Sequence, residues 1–182
     1  VVAMVGEGAR VLVGRVLEAA GVVADRDEAM HSFLDIYDRH LLDETTLYDG
    51  VRETLEALDG HVSMALLTNK PQHHTERILD GLDVRRFFSA VIGGDGPWPR
   101  KPDPASLQHL IASASASPQT TIMVGDSMVD VETARRASSR ICVARYGFGV
   151  FEPAALTGAL VADDGRSLGA VLLRALAEGD GR

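Results

Sequence analysis

Up to about Thr46, apolar positions recur at helical spacing. Val13, Val16, Leu17 and Ala20 fall on one face of Ala9 to Ala20, and Gly21 follows where a C-cap belongs. Met30, Phe33, Leu34, Tyr37 and Leu41 repeat the pattern over Asp27 to Leu42, with Asp25 or Asp27 placed to cap it. Residues 1–46 therefore predict a small helical unit without a strand. After the turn signal Tyr48-Asp49-Gly50 the pattern changes, and short apolar runs alternate with amphipathic stretches. Helices are expected over Val51 to Leu58, Pro71 to Asp80, Pro104 to Ala114, Val129 to Ala137 and Leu168 to Ala177. Strands are expected over Val62 to Leu67, Phe88 to Ile92, Thr121 to Val124, Ile141 to Ala144 and Gly158 to Ala162. This alternation predicts an α/β fold over residues 47–182, a Rossmann-like parallel sheet with helices on both faces.

Composition narrows the class. The 182 residues are 46% hydrophobic and 24% charged, enough for one core. The 26 acidic residues against 18 basic ones leave a net charge of −8, and no stretch forms a basic stripe, so nucleic-acid binding is not expected. No apolar run approaches the roughly 18 residues of a membrane span, and no signal-peptide pattern opens the chain, so no membrane partner and a cytoplasmic location are expected. The one cysteine, Cys142, lies between Ile141 and Val143 and reads as a buried strand thiol rather than a nucleophile. Lysine occurs at Lys70 and Lys101 only, against 16 arginines. In so Arg-rich a chain a lysine marks a place that needs a compact ammonium.

Open α/β sheets bind ligands at the carboxyl ends of their strands. Three polar clusters fall there: Thr68-Asn69-Lys70-Pro71, the stretch GGDGPWPRKPDP holding Lys101, and Gly125-Asp126-Ser127-Met128-Val129-Asp130. A hydroxyl, an ammonium and two carboxylates four residues apart are what a phosphate and a magnesium ion require. Thr68 can donate to a phosphoryl oxygen, Lys101 can neutralise its charge, and Asp126 with Asp130 can hold a hard cation. Taken singly, each has a plainer explanation, Asp126 and Asp130 as helix-capping acids and Thr68 as a strand-end hydroxyl. Trp98 reads as packing, and no histidine pair has the spacing of a zinc site.

The segments GDSMVD, TNKP and RKPDP, in their order and separation, resemble motifs of the haloacid dehalogenase-like phosphohydrolases. The longer phrases LYDGVRETLEAL, LLTNKP, VIGGDGPWPRKPDP, IMVGDSMVDVETARRA and RYGFG resemble the phosphoglycolate phosphatase subfamily. The resemblance implies an aspartate nucleophile at the end of a central strand, an aspartyl-phosphate intermediate, a second aspartate as general acid and base, and Mg²⁺ as cofactor. It makes Thr68 and Asn69 phosphoryl-binding residues and Lys101 the lysine that steadies nucleophile and phosphate. Asp126 becomes a direct metal ligand and Asp130 a ligand or its supporting neighbour. Arg10, next to Gly6-Glu7-Gly8, becomes a candidate contact for a substrate carboxylate. The family's Asp-x-Asp-Gly-Thr segment is absent from these 182 residues. The first, central strand is therefore expected to be missing, with a cap that starts incomplete at Val1 and a preceding segment of roughly 30 to 40 residues. The expected partner is a small phosphate ester, most simply 2-phosphoglycolate, acted on by a monomer or homodimer. Sugar phosphates, pyrophosphate and a noncatalytic phosphate-binding module are the alternatives.

Overall fold

The structure is a computed structural model, and it describes residues 8–179. Gly6 and Glu7 lie outside the described residues. Two helices come first, α1 (Ala9–Ala20) and α2 (Arg26–Arg39), and they pack against each other. Gly21 closes α1 in the left-handed region, where a side chain would strain the backbone. Asp25 opens α2 by accepting from the N–H groups of Asp27 and Glu28 at 2.8 and 3.0 Å. Those two hydrogen bonds to its ionised form hold the Asp25 carboxyl below its usual range.

From residue 51 the order is α3 (Val51–Leu58), β1 (Ala65–Leu67), α4 (Gln72–Gly81), β2 (Ala90–Ile92), α5 (Ala105–Ser113), β3 (Ile122–Gly125), α6 (Met128–Arg136), β4 (Arg140–Ala144), β5 (Leu160–Ala162) and α7 (Gly165–Gly179). Every strand pairing is parallel, as expected. With the central strand expected to be missing, the sheet is divided: β1 pairs with β2, and β3, β4 and β5 form a separate sheet in that order. No strand among the described residues joins β1 to β3.

Strand side chains alternate between two layers of helices. Cys142 packs with Leu58 of α3 and Leu168 and Leu172 of α7, whereas its neighbour Ile141 packs with Leu107 and Ile111 of α5 and Ala134 of α6. Leu66 similarly joins Leu79, Val84 and Phe87, while Leu67 joins the α5 layer. β1, β2 and β5 begin two or three residues later than the apolar runs that encode them, and β3 and β4 begin within one residue of theirs. Val62 to Met64 precede the β1 ladder because β2 offers partners only from Ala90 on; Ser89 donates one last bond to the Met64 carbonyl at 2.9 Å.

Cys142 has no exposed surface, and burial pushes its thiol up to about 11 from 9.0. The folded protein should resist alkylation by iodoacetamide at pH 8, and unfolding in urea should restore it. The sign for stability follows, since a group with a raised folded pKa supports folding below its unfolded value. That contribution should fade as pH rises from about 9 towards 11. Rapid labelling of the native protein would contradict the buried position.

Candidate active site

The loop after β1, residues 68–71, and the loop after β2, residues 93–104, are stitched together. Gly94 donates its N–H to the Lys70 carbonyl at 2.8 Å, and Asp95 accepts from the Gln72 N–H at 2.7 Å. Asn69, 5% exposed, closes the junction with both ends of its side-chain amide. Its Nδ2 donates to the Lys101 carbonyl at 3.0 Å, and its Oδ1 accepts from the Lys101 N–H at 2.9 Å. The backbone of Lys101 is thus fixed by a residue 32 positions earlier.

The Lys101 ammonium donates to Asp130 Oδ1 at 2.6 Å, with the two side chains only 13% and 5% exposed. The other oxygen of Asp130 accepts from the N–H groups of Asp126 and Ser127, at 3.2 and 3.1 Å, and from the Ser127 hydroxyl at 2.6 Å. Ser127 is also the N-cap of α6, and the reciprocal bonds form a capping box with Asp130 in the third helical position. Asp130 therefore organises the site: it holds the ammonium on one side and shapes the loop after β3 on the other. Gly125 permits this, since a Cβ there would overlap the Asp130 side chain.

Asp126 is half-buried beside this pair. Its Oδ2 accepts from the Phe148 N–H at 3.0 Å, and its other carboxylate oxygen has no hydrogen-bond partner among the described residues. The turn carrying Phe148 sits close because Gly149 has no side chain; a Cβ there would strike the Asp126 carbonyl. Thr68 lies at the end of β1, where its Oγ1 accepts from the Lys70 N–H at 3.1 Å. With the acceptor side of the hydroxyl engaged, its proton is available for an outside acceptor.

The structure thus brings Thr68, Asn69, Lys101, Asp126 and Asp130 to one edge. It places the Asn69 side chain on the Lys101 backbone, although the sequence suggested a phosphoryl contact. Arg10 is paired elsewhere, donating to Asp27 at 2.7 Å between two exposed side chains. The chain just ahead of it does reach the site: Gly8 lies against the Arg100 side chain and the Asn69 carbonyl. Trp98 stacks on His109 with ring centroids 4.7 Å apart, a packing role.

Sequence reasoning missed two supports. One is the Phe148 N–H, whose only advance signal was the glycine spacing in RYGFG. The other ties α2 to α4 and the loop before it. Lys70 donates to the Tyr37 hydroxyl, and Arg77 pairs with Asp38. His73 and His74 also face Asp38, at 3.8 and 3.6 Å. Burial lowers the pKa of His74, whose Nδ1 is enclosed without a partner.

A buried lysine–aspartate pair joins the second and third loops beside a carboxylate with an open oxygen. A family model described as haloacid dehalogenase-like hydrolase matches residues 12–144. The chain belongs to this family. It is 40% identical over 172 residues to a phosphoglycolate phosphatase of Pseudomonas putida, covering 90% of this chain and 62% of that relative. A phosphoglycolate phosphatase of Rhodospirillum rubrum is 38% identical over 175 residues, covering 91% of this chain and 72% of the relative. The crystal structure of a predicted phosphoglycolate phosphatase from Haemophilus somnus superposes with a TM-score of 0.84 at 29% identity, over 94% of this chain and 80% of that one. A beta-phosphoglucomutase from Clostridium difficile, at 16% identity and a TM-score of 0.77 over 100% of this chain and 82% of that one, shares the fold. The chain spans less than two thirds of the length of the Pseudomonas relative.

The donor set fits magnesium. Mg²⁺ is commonly held by one or two carboxylates, substrate phosphate and retained waters. Asp126 offers one open carboxylate oxygen, and no group of three or more His, Cys, Asp or Glu side chains suited to a metal occurs among the described residues.

Proposed function

We propose that these loops are the phosphoryl and magnesium site of a phosphomonoesterase acting on a small phosphate ester, with 2-phosphoglycolate as the first candidate. The observation that carries this reading is the buried Lys101–Asp130 pair, clasped to the loop after β1 by Asn69. The names of the two relatives support the substrate. Residues 1–46 are read as part of a helical cap over residues 47–182, and Arg10 as a cap residue available to a substrate carboxylate when its pairing with Asp27 opens.

Each side chain has a distinct task in this reading. The Thr68 hydroxyl donates to a phosphoryl oxygen. Lys101 spends one of its three N–H bonds on Asp130 and directs the rest at phosphate and nucleophile. Asn69 fixes the Lys101 backbone, so that the ammonium needs little reorganisation when charge develops. Asp126 holds the cation with its open oxygen, and Asp130 keeps both partners in register. Bound Mg²⁺ would screen the phosphoryl charge against an anionic nucleophile. The nucleophilic carboxylate, and with it the aspartyl-phosphate intermediate, is assigned to polypeptide outside these 182 residues.

Calorimetric titration of the 182-residue chain tests the site directly. Orthophosphate should bind more tightly with Mg²⁺ present, and Mg²⁺ more tightly with orthophosphate, by the same factor. Absence of coupling would sink the shared site.

A further inference from the structure

Lysine occurs twice in a chain with 16 arginines, and the proposed phosphoryl site uses only Lys101. Lys70 is built in as firmly. It is half-buried, and its main chain is pinned at both ends: its N–H donates to Thr68 Oγ1 at 3.1 Å, and its carbonyl accepts from the Gly94 N–H at 2.8 Å. Its ammonium donates to the Tyr37 hydroxyl of α2 and lies 4.7 Å from the centre of the same ring. Tyr37 in turn stacks on Phe33 and meets the His74 ring, at centroid separations of 5.6 and 5.5 Å. The head group therefore has one fixed place, two residues beyond Thr68, and both residues border the same cavity.

What this place lacks is a countercharge. A half-buried ammonium is normally paired with a carboxylate, yet none among the described residues pairs with Lys70. The Asp38 carboxylate, next to Tyr37 on α2, is engaged by Arg77 and faced by His73 and His74 at 3.8 and 3.6 Å. The Tyr37 ring face offsets part of the desolvation, but a phenol accepts one N–H and brings no charge. Two N–H bonds and the net positive charge of Lys70 stay uncommitted. Lys101 is the contrast, because Asp130 neutralises it in place.

We propose that Lys70, positioned by Tyr37, binds a second anionic group of the substrate, a carboxylate close to the ester oxygen, while Thr68 and Lys101 take the phosphoryl group. A carboxylate can accept both free N–H bonds and supply the missing charge. The assignment rests on the phosphoryl site proposed for Thr68 and Lys101, and it goes further by naming the substrate class. The two anion sites share one turn, since the hydroxyl that accepts from the Lys70 N–H is the one that donates to phosphate. A substrate that spans them must be short. Phosphate esters carrying a carboxylate are therefore preferred to sugar phosphates, whose remaining groups are hydroxyls. Arg10 must first release Asp27 to reach a carboxylate, whereas Lys70 has no such partner to give up.

Calorimetric titration of the 182-residue chain in Mg²⁺ compares 2-phosphoglycolate with ethyl phosphate, the same ester with a methyl group in place of the carboxylate. 2-Phosphoglycolate should bind at least about tenfold more tightly. Lys70→Met should cut that ratio to about twofold or less, with ethyl phosphate reporting the phosphoryl site. Tyr37→Phe keeps the ring and loses the hydroxyl, and it should lower the ratio about threefold. It also carries the test if Lys70→Met does not fold. A role limited to joining α2 to the loop would leave the ratio unmoved. A wild-type ratio near unity, or one unchanged in the folded variants, would overturn the carboxylate subsite and leave the phosphoryl reading standing. Equal loss of both esters in folded Lys70→Met would place Lys70 on the phosphoryl group itself and overturn the subsite too. A ratio that survives Lys70→Met and vanishes in Arg10→Gln would hand the carboxylate to Arg10. Failure of both ethyl phosphate and orthophosphate to bind the unmutated chain would instead overturn the phosphoryl reading, and the subsite with it.

Discussion

Lys101→Ala should destabilise the chain by about 3 kcal/mol and abolish its phosphate binding, the largest effect expected from any single change at the site. The ion pair it removes is almost fully buried, with 13% and 5% exposure of its side chains. Asp130 would keep its three donors from Asp126 and Ser127 on Oδ2, but Oδ1 would be left charged, buried and unpaired. That uncompensated charge, rather than the lost attraction, supplies most of the cost. Adding Asp130→Asn to Lys101→Ala should therefore recover part of the loss, a coupling that urea unfolding with unchanged slope can measure. The exposed pair Arg174–Glu178, at 83% and 63% exposure, provides the contrast, and breaking it should be close to neutral. A cost below about 0.5 kcal/mol for Lys101→Ala would mean that the pair is not closed in solution.

Asp126→Asn should weaken Mg²⁺ binding by at least about 100-fold while leaving the fold intact. The asparagine carbonyl can still accept from Phe148, so the turn at 147–149 keeps its place. What disappears is the negative charge on the open oxygen, and a hard dication discriminates strongly against a neutral amide there. Calorimetry with Mg²⁺, or Mn²⁺ as a spectroscopic stand-in, reads the change, with far-UV circular dichroism as the control. Unchanged affinity in the folded variant would move the metal away from Asp126.

The helices were readable in the sequence because a helix is encoded locally. Ala9–Ala20 and Val51–Leu58 match their expected bounds, and both Gly21 and Asp25 cap where residue chemistry puts them. Strand cores were readable too, but the beginnings of β1, β2 and β5 were not, since a ladder starts only where a neighbour does. The division of the sheet was expected only through the family resemblance, from the absent Asp-x-Asp-Gly-Thr segment, because each apolar run taken alone says nothing of its neighbours. At the site, residue types at strand ends pointed to Thr68, Lys101, Asp126 and Asp130. The task of Asn69 was not legible, because its partner lies 32 residues away and is a backbone rather than a side chain. Nor was the approach of Gly149 to Asp126, which depends on how two loops cross. The Tyr37–Lys70 contact joins residues 33 positions apart on different elements, and no periodicity predicts it.

The most direct test is phosphate release from 2-phosphoglycolate by this chain fused behind a strand and an Asp-x-Asp-Gly-Thr loop. Turnover should require Mg²⁺, stop with EDTA, and be lost in Lys101→Ala and in a fusion whose first loop aspartate is asparagine. The 182-residue chain alone should give none. A folded fusion without activity, or turnover by the 182-residue chain itself, would contradict the assignment of these loops to phosphoryl transfer with an outside nucleophile.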